Sequence, residues 1–152
     1  MTDRSRTDLE WLRQTIALSR RSPPSRTAFS VGALIVDAAG EVLAEGYSRP
    51  HDPHDHAEEI ALAVLGEGWV APPGTTLYSS LEPCSARASR PRSCTDLILA
   101  AGIGRVVFAW REPSIFVDGR GAELLRAAGT EVVELPELAW QVREINRHLL
   151  AR

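Results

Sequence analysis

Apolar residues in the N-terminal stretch recur at helical spacing. Leu9, Leu12, Ile16 and Ala17 fall on one side of a helix over residues 8–21, which Ser22-Pro23-Pro24-Ser25 ends. The pattern then changes period. The run Val31-Gly32-Ala33-Leu34-Ile35-Val36 is continuously apolar and predicts a buried strand. Asp37-Ala38-Ala39-Gly40 supplies a turn, and residues 42–47 return as its hairpin partner. A loop rich in His, Asp and Pro covers 48–55, and a helix over 57–65 stops at Gly66. Beyond Pro72-Pro73-Gly74 come a strand over 75–81, a helix over 94–101 closed by Gly102, and a third apolar strand over 105–110. Residues 112–118 read as a loop, 121–128 as a helix closed by Gly129, and 131–135 as a short strand. Pro136 opens a last amphipathic helix with Leu138, Val142, Ile145 and Leu149 on one face.

The order α-β-β-α-β-α-β-α-β-α predicts an α/β protein. Helices flank a five-stranded mixed sheet in three layers, α/β/α. The first hairpin is antiparallel; strands three, four and five each follow a helix and run parallel through right-handed crossovers. The length of 152 residues suits one domain over 1–152, with residues 1–7 outside its ordered part.

Composition removes several functions. All 17 basic residues are Arg, and Asn146 is the only asparagine. Without lysine there is no Schiff-base chemistry, no Ser-Lys dyad and no Walker-type phosphate lysine. A net charge of −3 opposes general nucleic-acid binding. No apolar run approaches a membrane span, and the polar N-terminus lacks a signal core, so a cytoplasmic protein is expected. Two cysteines in a reducing compartment are ligands or core residues rather than a disulfide.

Three segments carry chemistry: His56-Ala57-Glu58 at a helix start, Pro83-Cys84 just after a strand, and Cys94 opening the next helix. One imidazole and two thiolates form a ligand set for Zn2+ that leaves a fourth tetrahedral position open. Glu58 is placed to face that position without binding the metal. A second reading stands beside this one. Asp55 as N-cap with Glu58 three residues later satisfies a capping box, and two lone cysteines can simply fill the core. The three segments together match the His-x-Glu, Pro-Cys, Cys order of zinc deaminases.

The chain resembles the cytidine-deaminase-like superfamily over nearly its full length, above all the deaminase domain of bifunctional riboflavin-biosynthesis enzymes. The residues that carry the resemblance are 31–36, Glu45-Gly46-Tyr47, His56-Ala57-Glu58, Leu81-Glu82-Pro83-Cys84-Ser85, Cys94 through Ile103, Arg105-Val106-Val107, and Gly119-Arg120-Gly121. Gly46-Tyr47-Ser48-Arg49-Pro50 up to His56 is also similar to tRNA adenosine deaminases. The resemblance implies that His56, Cys84 and Cys94 hold zinc and that Glu58 moves protons while a ring amino group is exchanged for a carbonyl and ammonia leaves. It also implies a homodimer or homotetramer. The reductase domain of the bifunctional enzymes is absent, so a stand-alone deaminase is expected.

Substrate contacts are less distinct. His51 and His54 are rival ligands, loop residues exposed to solvent, or a pocket rim. Phe29 stands where the family carries an asparagine that contacts substrate; it stacks on a ring or packs in the core. The inter-cysteine loop, Ser85 through Ser93, is long and contains proline as in the riboflavin enzymes. It lacks their His and Thr-Pro-Pro. Arg87, Arg90 and Arg92 form a phosphate clamp or a solvated basic loop. Ala57, Ser80 near the base edge, and Trp110 at a strand C-terminus complete the candidates, with Ile115 and Phe116 as a pocket wall or subunit contact. The expected substrate is a small pyrimidine of the riboflavin-pathway type. Alternatives are cytidine, deoxycytidylate, cytosine, a guanine- or triazine-like base and, further off, tRNA adenosine. A non-catalytic zinc module would have no use for Glu58.

Overall fold

The computed structural model describes residues 2–111, 113 and 120–150. Its central sheet holds β1 (Gly32–Val36), β2 (Val42–Tyr47), β3 (Thr76–Leu81), β4 (Arg105–Trp110) and β5 (Glu131–Glu134). Their order is β2-β1-β3-β4-β5. β1 pairs antiparallel with both β2 and β3, while β3–β4 and β4–β5 are parallel, as the crossover argument expects.

Side chains alternate across the sheet and feed two cores. Ala33 and Ile35 of β1, with Leu77 and Val106, face the layer of α2 (Ala57–Leu65), α3 (Cys94–Ala100) and α4 (Gly121–Ala127). Leu34, Val36, Tyr78 and Val107 face α1 (Asp3–Ser19) and α5 (Ala139–Ile145), through Leu9, Leu12, Ile16 and Val142. A short α6 (Arg147–Leu150) closes the description.

Two boundaries differ from expectation. α1 starts at Asp3, not Asp8, because the Thr2 side chain accepts the Ser5 N–H at 3.0 Å and caps it. Residues expected outside the ordered part thus form its first turns. The C-terminal helix is not continuous either. It is a 3-10 turn at Pro136–Leu138, then α5, a break at Asn146, then α6. Asn146 is fully buried, and its side chain is turned toward the segment before β1. Trp140 on α5 is 56% exposed.

Two glycines let backbone meet backbone near the cavity. A Cβ on Gly46 of β2 would lie 2.4 Å from the Ala57 carbonyl and 2.7 Å from the Ala61 nitrogen, so α2 rests directly on the hairpin. A Cβ on Gly121 would lie 1.9 Å from the Pro83 carbonyl, so α4 begins against the turn that follows β3.

Candidate metal centre and cavity

Three elements deliver the donors. His56 is the N-cap of α2, Cys84 follows β3, and Cys94 is the first residue of α3, whose N-cap Ser93 accepts the Asp96 N–H. His56 Nδ1 lies 3.6 Å from Cys84 Sγ and 3.4 Å from Cys94 Sγ. Among the described residues this is the group whose ligand atoms lie close enough together, within 4.8 Å, to hold a metal ion. The separations test the fit. Zinc bonds of ~2.3 Å to sulfur and ~2.0–2.1 Å to nitrogen, at a tetrahedral angle, set S and N ~3.5 Å apart. The site meets that spacing, and its soft sulfur pair with one imidazole suits Zn2+.

The thiols are already biased toward that state. A hydrogen bond from Cys94 holds Cys84 down, to about 4, against burial. The same bond and burial push Cys94 up. The pair thus gives up one proton readily and the second only when a cation takes its place. The Cys94 N–H, at the start of α3, donates to Cys84 Sγ at 3.2 Å. The Thr95 hydroxyl donates to the Cys84 carbonyl at 2.8 Å and fixes the turn.

The capping question resolves one residue further along than expected. The N-cap is His56, not Asp55, and it is Glu59, not Glu58, that accepts the His56 N–H, at 3.2 Å. Asp55 instead accepts the N–H groups of His51 and Asp52 within its own loop. Glu58 is released from capping, buried, and lines a cavity with His56, Ala57 and Cys84. Burial raises its carboxyl to about 7 despite the opposing charge of His56.

The cavity measures about 220 Å³. Phe29 lines it and meets Trp110 edge-on, 5.6 Å between ring centres. Arg87 lines it too. The other sequence candidates lie elsewhere. His51 and His54 are exposed outside its lining, and His54 faces Asp52 at 3.6 Å. Ser80 is buried and accepts the Gly32 N–H at 3.1 Å, a bond within the sheet region. Arg90 is surrounded by Asp52, Asp55 and Glu59 at 3.7, 3.4 and 3.5 Å. Arg92 lines a separate groove between α2 and α3. Arg87 and Arg90 thus meet at the Glu59 carboxylate, while Arg92 lies apart on the other groove. Ile115 and Phe116 lie outside the described residues.

Two cavity residues were not anticipated. Arg49 has a left-handed φ of 58° and donates to the carbonyls of Phe29 and Pro23 and to Ser30 Oγ. Glu82, buried just before Pro83, accepts the Ala122 N–H at 2.9 Å and ties the turn to α4. Both stand in segments that carry the resemblance, Glu82 before Pro-Cys and Arg49 after Gly46-Tyr47-Ser48, but neither was singled out as a cavity residue.

Fold and site together define a class: an α/β protein in which two helix starts and the turn after β3 gather a His-Cys-Cys group able to hold a metal ion, beside a buried carboxyl. The family model described as the cytidine and deoxycytidylate deaminase zinc-binding region matches residues 5–110, and the chain belongs to that family. It is 39% identical over 127 residues to the diaminohydroxyphosphoribosylamino-pyrimidine deaminase of Schizosaccharomyces pombe, covering 82% of this chain and 31% of that protein. The chain spans about a third of the length of the curated relatives it matches. Among solved structures, the bifunctional deaminase/reductase of Thermotoga maritima superposes with a TM-score of 0.79 at 30% identity, over 96% of this chain and 41% of that one. The Aspergillus oryzae Rib2 deaminase in complex with DARIPP superposes with a TM-score of 0.75 at 26% identity, over 95% and 91%.

Proposed function

We propose that this protein is a zinc-dependent hydrolytic deaminase that converts a ring amino group of a small pyrimidine to a carbonyl with release of ammonia. One observation carries the reading: Glu58, freed from helix capping by Glu59, is buried in the same cavity as His56 and Cys84. His56, Cys84 and Cys94 would hold the ion. When bound, zinc would supply the activation of a water for attack on the ring.

The chain's own residues account for the rest. Helix starts at α2 and α3 direct positive backbone ends toward the thiolates. Glu58 takes a first proton from the attacking water and passes it to the ring nitrogen, then takes the second from the newly added hydroxyl and passes it to the amine, which leaves as ammonia. A carboxyl near neutrality does both. Phe29, braced by Trp110, offers a flat face to an aromatic ring.

The relatives' names favour a riboflavin-pathway pyrimidine, diaminohydroxyphosphoribosylaminopyrimidine, as substrate. A second reading, cytidine or deoxycytidylate, has the family description behind it. The net charge of −3 opposes tRNA. A single domain, a homodimer or homotetramer, and a cytoplasmic location belong to the same proposal; no described helix is long and apolar enough to cross a membrane.

The test is an ammonia-release screen over bases, nucleosides and nucleotides, with zinc measured on the same protein. Stoichiometric zinc, turnover of a pyrimidine, and a Glu58→Ala variant that keeps zinc but not turnover are expected. Metal-free protein in which Glu58→Ala changes nothing overturns the reading.

A further inference from the structure

Arg49 is a buried cation that spends its hydrogen bonds on neutral groups. The residue is 6% exposed and lines the cavity. Its Nη1 donates to the Phe29 carbonyl at 2.9 Å. Its Nη2 donates to the Pro23 carbonyl at 2.8 Å and to Ser30 Oγ at 2.9 Å. The carboxylate nearest in sequence on the same loop, Asp52, and its neighbour Asp55 are engaged with Arg90 instead. Burying a charge is costly, and stability alone is served more cheaply by an apolar side chain of similar size. The φ of 58° at Arg49 is left-handed, a conformation that a residue other than glycine keeps only where its surroundings hold it.

All three acceptors belong to the segment that joins α1 to β1. Residues 20–31 form no helix or strand, so no ladder of backbone bonds fixes them. Phe29, within that segment, lines the cavity and is buried to 6% exposure. Side chains from elsewhere do the fixing. Asn146 holds the Ser30 backbone, Ser48 Oγ accepts the Val31 N–H at 2.9 Å, and Arg49 takes the Pro23 and Phe29 carbonyls. The other end of Arg49 reaches the metal side of the cavity. Its backbone N–H donates at 3.0 Å to the carbonyl of Asp55, the residue before His56. One residue thus joins the segment carrying the Phe29 ring to the stretch that delivers His56 and Glu58. A planar guanidinium fork meets three acceptors at once, which the point charge of an ammonium does not.

We propose that Arg49 is a positioning residue: it fixes the distance between the Phe29 ring and the His56–Glu58 side of the cavity, and so sets how tightly a flat ring is gripped. The inference rests on the pyrimidine-deaminase reading and adds to it the residue that spaces the two walls. Arg49 acts through Phe29 and not on the reacting atoms. Its loss weakens the hold on the ring equally in the ground state and the transition state, which raises KM and leaves kcat in place.

The test measures KM and kcat for wild type, Arg49→Lys, Phe29→Ala and the double variant, with zinc content and melting temperature followed alongside. The substrate is whichever of diaminohydroxyphosphoribosylaminopyrimidine, cytidine and deoxycytidylate the wild type turns over. Arg49→Lys keeps the charge and loses the fork, and is expected to raise KM about ten-fold with kcat within about two-fold and zinc retained. Phe29→Ala should raise KM too, and adding Arg49→Lys to it should raise KM no further. An unchanged KM in Arg49→Lys, a loss carried by kcat, or KM effects that multiply in the double variant overturns the inference and leaves the deaminase reading intact. Wild type inert on all three substrates overturns both. Should Arg49→Lys fail to fold, Ser30→Ala removes one of the three acceptors and spares the backbone bonds to Asn146. KM should then rise about three-fold, and only while Phe29 is present; no rise overturns the inference.

Discussion

Asn146 and Ser30 exchange two hydrogen bonds: Asn146 Oδ1 accepts the Ser30 N–H at 2.7 Å, and Asn146 Nδ2 donates to the Ser30 carbonyl at 3.2 Å. A third bond runs from Nδ2 to the Val142 carbonyl at 3.0 Å. The chain's only asparagine thus satisfies the segment that leads from the cavity residue Phe29 into β1. Replacing it by leucine strands two buried backbone groups, at about 1–3 kcal/mol each. Asn146→Leu should lower the urea midpoint and raise KM through Phe29. Asn146→Leu with an unchanged midpoint would show that the clamp contributes nothing.

Glu58 and Glu59 are adjacent carboxylates with opposite expectations. Glu58→Gln should cost roughly 10²–10⁴-fold in turnover with stability and zinc content preserved. Glu59→Gln keeps an acceptor for the His56 N–H and weakens its contacts with Arg87 and Arg90, so it should retain most turnover while losing about 0.5–1 kcal/mol of stability. Paired kinetic and melting measurements separate the two, and a reversed pattern would reassign them.

The Asp8–Arg105 pair makes stability depend on acid. Arg105 Nη1 and Nη2 donate to Asp8 at 2.9 and 2.6 Å, and the Tyr78 hydroxyl donates to the same carboxylate at 2.6 Å. Burial pushes the Asp8 carboxyl up, but these hydrogen bonds outweigh it and leave it below its ordinary value. The unfolded state therefore binds a proton more readily than the folded state. The contribution is whole above the ordinary aspartate value of ~3.9 and is lost as pH falls through the lowered folded value. Asp8→Asn leaves Arg105 without its buried counter-charge and should cost about 3–5 kcal/mol at neutral pH. The gap between wild-type and variant stability should narrow as pH drops below ~4. A gap independent of pH would contradict the linkage.

Gly46→Ala tests how the hairpin sets the metal centre. The new methyl would meet the Ala57 carbonyl, the residue after His56, at 2.4 Å, and backbone does not yield cheaply. α2 must shift, and His56 with it. Zinc release to a competing chelator should be faster than from wild type, with strands β3 to β5 still protected in hydrogen exchange. Unchanged zinc retention would show that α2 is positioned by something else.

Much of this was legible in the chain. Short continuous apolar runs between turn residues marked the central strands, and their alternation with helical stretches gave the parallel half of the sheet and the helix order, because each strand's burial is a local property of its own residues. The gathering of His56, Cys84 and Cys94 was legible because helix starts and a strand end are marked by short motifs. Three things were not. A capping box fits Asp55 and Glu58 as well as His56 and Glu59 in letters alone, and only the φ, ψ of His56 separates them. The paths of Arg87 and Arg90 depend on Asp52, Asp55 and Glu59, which a distant segment supplies. The left-handed turn at Arg49 is held by carbonyls from residues 23 and 29, beyond the reach of any local pattern.

The three donors also act as a ruler. Cys84 reaches His56 across 28 residues and Cys94 across 10, and its place is set by the pairing of β3 with β1, Ala33 opposite Ser79. A slip of β3 by one residue would carry Cys84 along by ~3.3 Å and turn inward side chains outward. A chain so misaligned could not bring its sulfur to the imidazole. Metal occupancy in a refolded sample would therefore count the molecules whose strands have found their correct partners, a census of register that circular dichroism, blind to such slips, does not take.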